Sequence, residues 1–210
     1  MRRILVLVLL LSSGIACSRN ASVSESQCAA GDWETIGYRD GTLGYRSSRL
    51  LAHQDACIPH GVTPDRAAYQ LGWRQGVAEF CDASNAFELG QSGEGHANVC
   101  PADQRDAFLA SFERGRTLYV ARDNVLTLER AIGDRTQRIE SIGEELVVVA
   151  SAQLNPVLLP EQRIQLAARM KRLYDEKTRL AAEIPGLEAE LRVRTSELEA
   201  LDRSMASAAL

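Results

Sequence analysis

The chain is 210 residues long, with 24 Lys and Arg against 28 Asp and Glu and a net charge of −4. That length allows one or two domains with a sizeable core. The mild acidity and the lack of a basic patch argue against nucleic acid as a partner.

The chain opens MRRILVLVLLLSSGIAC. Arg2 and Arg3 precede an unbroken apolar run, Ile4 to Leu11, that falls well short of the ~20 residues a membrane-spanning helix needs. This is the layout of a secretory signal peptide over residues 1–16. The ending GIAC resembles the lipobox of bacterial lipoproteins, with Gly14 where leucine is usual. The resemblance implies cleavage before Cys17 and a diacylglycerol on its thiol. Ser18 in place of aspartate implies sorting to the periplasmic side of the outer membrane. Acyl chains contribute ~0.8 kcal/mol per buried CH₂, so the mature chain is expected to be tethered rather than transmembrane. Residues 17–27 are expected to be a lipidated, flexible leader.

A cysteine-rich helical domain is expected over 28–101. Cys28, Cys57, Cys81 and Cys100 form an even set with no cysteine after them, which predicts two disulfides in an oxidising compartment. Asp32 is placed to cap a helix from Trp33 to about Leu43, with Gly44 as its stop. Ser47 or Ser48 is placed to cap a second helix ending near Cys57. Pro59 and Gly61 break the chain, and Thr63-Pro64-Asp65 opens a helix to about Phe80 with Pro64 at its first position. One further turn is predicted over Asn85–Leu89, and GQSGEGHANVCP, 90–101, reads as irregular.

Two motifs stand out, GYRDG at 37–41 and GWRQG at 72–76. Gly37 and Gly41 share one helix face, as do Gly72 and Gly76. Glycine inside a helix costs about 1 kcal/mol against alanine, so two per helix point to a close backbone contact. The two helices are expected to cross there, with Tyr38 and Trp73 beside the contact and Arg39 and Arg74 reaching toward Asp40, Glu34 or Glu79. A ligand pocket floored by bare backbone is the alternative. An antiparallel crossing pairs Cys28 with Cys81 and Cys57 with Cys100. A tight reversal at Gly44 instead allows Cys28 with Cys57 and Cys81 with Cys100.

The rest of the chain, 103–208, predicts an antiparallel coiled-coil hairpin with its turn near 151–160. Sevens counted from Leu118 give Val125, Ile132, Ile139 and Leu146; sevens from Leu166 give Leu173, Leu180 and Leu187. Interleaved positions such as Leu128, Ile142, Val149, Met170, Ile184 and Leu191 complete a three-and-four seam, interrupted by Arg135, Lys177 and Arg194. Pro156 and Pro160 close the first arm. Pro185 is expected to kink or split the second, with Gly186 adding slack. The fold class is therefore mainly α: a small disulfide-bonded helical head followed by the long hairpin.

The stretches C-x3-D-W-x3-G-Y-R-D-G-x2-G from Cys28, Y-x2-G-x3-G-x4-C from Tyr69 and E-L-G-x2-G-E-x5-C-P from Glu88 together resemble a family of small Gram-negative envelope lipoproteins known only as a domain of unknown function. The resemblance covers about residues 28–101. It implies an envelope lipoprotein and carries no catalytic assignment.

Candidate chemistry is sparse. His53, Cys57 and His60 have ligand-like spacing, but in an oxidising compartment the cysteine is better used in a disulfide, so no metal and no cofactor is expected. Glu88, Glu94 and His96, around the Gly90–Cys100 loop, form a possible acid–base group for glycan work. Nucleophile-elbow and Cys-x-x-Cys patterns are absent. The sequence thus predicts a lipid-anchored, non-enzymatic protein-binding or structural module that uses its hairpin for an envelope partner or for self-association. The alternative is a peptidoglycan-binding or cell-wall-modifying protein using the Gly90–Cys100 loop.

Overall fold

A computed structural model describes residues 22–208. The expected signal peptide, Cys17 and the start of the leader lie outside the described residues. Seven α-helices follow in order: α1 Glu25–Ala30, α2 Trp33–Thr42, α3 Arg49–Cys57, α4 Arg66–Phe80, α5 Ala83–Ser92, α6 Ala102–Gln153 and α7 Pro160–Ala208, with a 3₁₀ turn at Ile58–His60 after α3. Among the described residues there is no strand. The described residues fall into two compact units, one running to Phe80 and taking in Ala97–Cys100, the other made of Cys81–His96 and the residues from Pro101 on.

In the first unit, the leader is ordered earlier than expected. Ser24 and Gln27 form a capping box: the Ser24 hydroxyl accepts from the Gln27 amide at 3.3 Å, and Gln27 Oε1 accepts from the Ser24 amide at 2.8 Å. This S-x-x-Q pattern satisfies two of the orphan N–H groups of α1. Val23 is buried beside Cys28, Trp33, Ile36, Leu50, Cys57 and Tyr69. Asp32 caps α2 as predicted, accepting from the Thr35 amide at 3.2 Å. Ser48 occupies the cap position of α3 but its side chain makes no capping bond. α4 starts one residue after Asp65, whose Oδ1 accepts from the amides of Ala67 and Ala68. Asp65, not Pro64, therefore begins that helix, because a carboxylate satisfies two free amides and proline only tolerates the site.

α2 and α4 pack through the two glycine motifs. A Cβ on Gly37 would lie 2.0 Å from the Tyr69 carbonyl oxygen, one on Gly72 1.9 Å from that of Glu34, one on Gly41 2.4 Å from that of Trp73, and one on Gly76 2.1 Å from that of Tyr38. No side chain fits, and the bare backbones touch. The partners also fix direction. Glu34 faces Gly72, Tyr38 faces Gly76, and Gly44 faces Phe80, so positions rise together and the helices run parallel. The antiparallel crossing is thus overturned, and with it the pairing it implied. Parallel helices put Cys28 and Cys81 at opposite ends of the contact. The bond formed is Cys28–Cys57, and Cys81 and Cys100 are also disulfide-bonded.

In the second unit, α5 is longer than the predicted single turn and reaches Ser92, so the first part of the 90–101 stretch is helical rather than irregular. Asp82 caps it, accepting from the Ser84 amide at 2.8 Å. α5 and α6 cross through Gly90 and Gly115. A Cβ on Gly90 would lie 2.1 Å from the Phe112 carbonyl oxygen, and one on Gly115 2.1 Å from that of Phe87.

α6 and α7 then run beside each other. Ion pairs join Arg122 to Asp202, Arg135 to Glu183, Arg138 to Glu176 and Arg169 to Glu145, so one number falls as the other rises and the pairing is antiparallel. Ile142, Leu146, Val149, Leu173 and Leu180 are buried between them, with Ile139, Leu166 and Met170 packed alongside. Residues 154–159 link the two long helices. Pro185 does not split α7, which continues through it as one helix.

Candidate functional site

Two of the three buried polar side chains among the described residues, Asp40 and His53, meet in the first unit. Asp40 is 1 % and His53 0 % exposed. Asp40 sits on the inner face of α2 with Trp33, Ile36, Gly37 and Gly41, where helical spacing turns it toward the core. His53 comes from the inner face of α3 with Leu50 and Cys57. His53 Nε2 lies 2.7 Å from Asp40 Oδ2, and the Tyr69 hydroxyl donates to the same oxygen at 2.9 Å. Asp40 Oδ1 faces Arg49 Nε at 3.4 Å, and the Arg49 guanidinium stacks 3.9 Å over the Tyr45 ring. On its other side, His53 Nδ1 lies 2.7 Å from Ser22 Oγ.

His53 Nε2–H donates to the Asp40 carboxylate, and Nδ1 shares a hydrogen bond with the Ser22 hydroxyl whose direction follows the tautomer of the ring. Burial and the bond to Asp40 push the Tyr69 hydroxyl well above the ordinary tyrosine range, so it stays a donor. Ser, His and Asp in this order also form an acyl-transfer relay. Here Nδ1 rather than Nε2 faces the serine, and Tyr69 and Arg49 already occupy the carboxylate.

The predicted site residues fall elsewhere. Gly37, Gly41, Gly72 and Gly76 form the α2–α4 contact itself. Beside it, the Tyr38 hydroxyl donates to Glu79 at 2.8 Å, which raises the tyrosine above its usual range, and Trp73 Nε1 donates to the Tyr45 carbonyl at 2.8 Å. Arg39 and Arg74 are exposed. Asp40, expected on the surface as a partner for these arginines, is instead the centre of the buried cluster. Cys57 is spent in its disulfide, and His60 lies 3.6 Å from Glu25, so the His53-Cys57-His60 spacing does not assemble a ligand set. Glu88 and Glu94 are exposed, while His96 packs edge-on against Phe108 and Phe112, with ring centres 5.1 and 4.5 Å away.

A repeat that the sequence did not reveal sets the cluster apart. The α5–α6 contact copies the α2–α4 contact position by position. Gly41 meets Trp73, Gly76 and Val77, and Gly90 meets Phe112, Gly115 and Arg116. Gly44 (φ +68°) lies on the Phe80 ring, and Gly93 (φ +79°) lies on the Tyr119 ring. Only glycine holds that left-handed turn with an aromatic ring where its Cβ belongs. Buried Ala86 and Ser111 stand where the first copy has Gly37 and Gly72. His53 lies edge-on to Tyr69, with interplanar angle 67°, and His96 lies edge-on to Phe108, at 69°. The spacing His-x3-Cys recurs in His53–Cys57 and His96–Cys100. In the second copy, however, Leu89 stands at the place of Asp40 and Phe108 at that of Tyr69.

Residues 32–117 match a family described as Protein of unknown function (DUF2799). The match spans both copies and runs into α6, further than the resemblance read from the sequence, and covers less than half of the chain. No curated protein and no solved structure matches this chain.

Proposed function

We propose that this protein is a lipid-anchored module of the cell envelope, on the periplasmic side of the outer membrane, which binds another protein through the tip of its two long helices and catalyses no reaction. The lipobox-like GIAC and the disulfide-bonded cysteines support the compartment. The observation that carries the binding role is the tip. From Leu146 to Pro160 the chain has no charged residue. Leu154 is 84 %, Val157 82 % and Ile164 69 % exposed, with Val147, Val148 and Leu159 also turned outward. Apolar side chains gathered at one exposed end of a helix pair mark an interaction surface. The link is held in shape rather than left loose: Arg163 donates to the carbonyls of Gln153 and Asn155, each at 3.0 Å, and Gln162 accepts from the Leu159 amide at 2.9 Å. The half-buried seam along α6 and α7 is read as a two-stranded coiled coil that carries this tip.

A photo-crosslinking residue placed at Leu154 in intact cells tests the reading. The expected result is a discrete adduct with an envelope protein. A label at exposed Arg74 should give none. An adduct of twice the chain's mass assigns the tip to self-association instead, and no adduct from Leu154 overturns the binding role.

A further inference from the structure

The Asp40 cluster asks for a purpose because the second copy of the fold dispenses with it. Leu89 and Phe108 fill the matching places with apolar side chains, so the packing does not require a buried carboxylate and a buried hydroxyl. The first copy carries the desolvation cost of both. What it has in return is a bond that leaves the repeat: His53, oriented by Asp40, holds the hydroxyl of Ser22. Beside it, Val23 is buried in the core, and Ser24 begins α1 through its capping box. The chain is therefore gripped from Ser22 onward.

We propose that this cluster docks the chain's own N-terminal segment at Ser22 and so holds the first unit close to the phospholipid surface. The inference rests on the lipid anchor proposed above. Cys17 precedes Ser22 by five residues, which span at most ~17 Å when fully extended. A lipid on Cys17 thus holds Ser22 within that distance of the headgroups. Without the dock, the next holds on the chain are the buried Val23 and the Ser24 capping box, so the span from Cys17 lengthens by at least one residue.

The test uses the full lipidated chain from cells, in vesicles of phosphatidylethanolamine and phosphatidylglycerol that include a headgroup-nitroxide lipid. Two readouts are taken by NMR: backbone order at Ser22 and Val23, and paramagnetic broadening of the α1 amides. In the native chain the order parameters should match rigid backbone, ~0.85, and α1 should be broadened. The pair Asp40→Leu with Tyr69→Phe converts the first copy to the chemistry of the second. It should keep its helices and the Cys28–Cys57 bond, drop the order at Ser22 below ~0.6, and weaken the α1 broadening at least twofold. Ser22→Ala, which removes only the hydroxyl bonded to His53 Nδ1, should move both readouts the same way and serves if the pair fails to fold. Unchanged order at Ser22 in both variants overturns the dock. Absence of broadening at α1 in the native chain overturns the closeness to the surface. An N-terminal peptide of unmodified mass overturns the lipid anchor alone, since the order parameters still report the dock.

Discussion

At the residue scale, Asp40 has the largest consequences and was the hardest to read. In GYRDG it follows Arg39 directly and looks like half of a surface ion pair. Only its register betrays it: Trp33, Ile36, Gly37 and Gly41 share its face, and a carboxylate on an apolar stripe is a buried polar group needing partners. Those partners come from α3 and α4, far along the chain, so they are not legible in the local sequence. Removing Asp40 alone strands the Tyr69 hydroxyl, the His53 N–H and the Arg49 guanidinium. Asp40→Ala should cost about 3–5 kcal/mol, measured as a fall in the urea midpoint at constant slope. Asp40→Leu combined with Tyr69→Phe should cost less than Asp40→Ala alone, because it removes a donor together with its acceptor. The cluster is read as structural, so a fluorophosphonate probe at neutral pH should leave Ser22 unmodified. Labelling of Ser22 that Ser22→Ala and His53→Ala both abolish would show an activated nucleophile and overturn the non-enzymatic reading.

At the scale of elements, the glycine motifs show what spacing reveals and what it withholds. Two glycines on one face state that a backbone comes close, and the contact is there. They say nothing about direction, and the parallel sense of α2 and α4 decides which cysteines meet. The same contact separates glycines that matter from those that do not. Gly37→Ala or Gly72→Ala should destabilise the first unit by about 3 kcal/mol or more, since the added Cβ meets rigid carbonyls. A Cβ on Gly133 or Gly143 in α6 meets nothing within 4 Å, so alanine there should stabilise by roughly 0.5–1 kcal/mol. Thermal melts of the four variants check both signs. Along α6 and α7, heptad spacing made the arms legible, whereas the polar interruptions became intelligible only in three dimensions. Arg135, a seam position, reaches Glu183 at 2.7 Å, and Arg138 holds Glu176 and Glu145 at 2.8 and 2.7 Å. The arginines lower all three glutamates from their ordinary value near 4.5, through hydrogen bonds first. Groups whose folded pKa is depressed contribute stability above the unfolded pKa and lose it as pH falls through the folded one. The α6–α7 pairing should therefore weaken on acidification below about pH 4.5. Glu176→Gln should flatten that dependence, read as the pH profile of the melting midpoint.

At the scale of the whole molecule, the chain repeats one device and changes it once. Each copy packs two parallel helices through glycine, turns on a left-handed glycine lying on an aromatic ring, and sets a histidine edge-on to the ring of the second helix. The sequence hid this because the pair that looks alike, GYRDG and GWRQG, lies within one copy. Across copies, Ala86 and Ser111 replace two of the four glycines, and the connection from Gly93 to His96 is shorter than that from Gly44 to His53, which breaks any fixed period. The disulfides belong to the same plan. A fold whose helices touch through glycine has little side-chain area between them, and covalent closure offsets a small core. Cys28 and Cys57 close a loop with a sequence separation of 29, a constraint worth roughly 3.5 kcal/mol against the unfolded chain in the entropic account. The double variant Cys28→Ser with Cys57→Ser should lose about that much in the first unit. Hydrogen exchange locates the loss. Amides of α3 and α4 should exchange faster, whereas those around Leu173 and Leu180, buried between the long helices, should keep their protection. Equal acceleration at both places would mean that the long pair owes its stability to that disulfide, and the division into two units would not describe how the chain holds together.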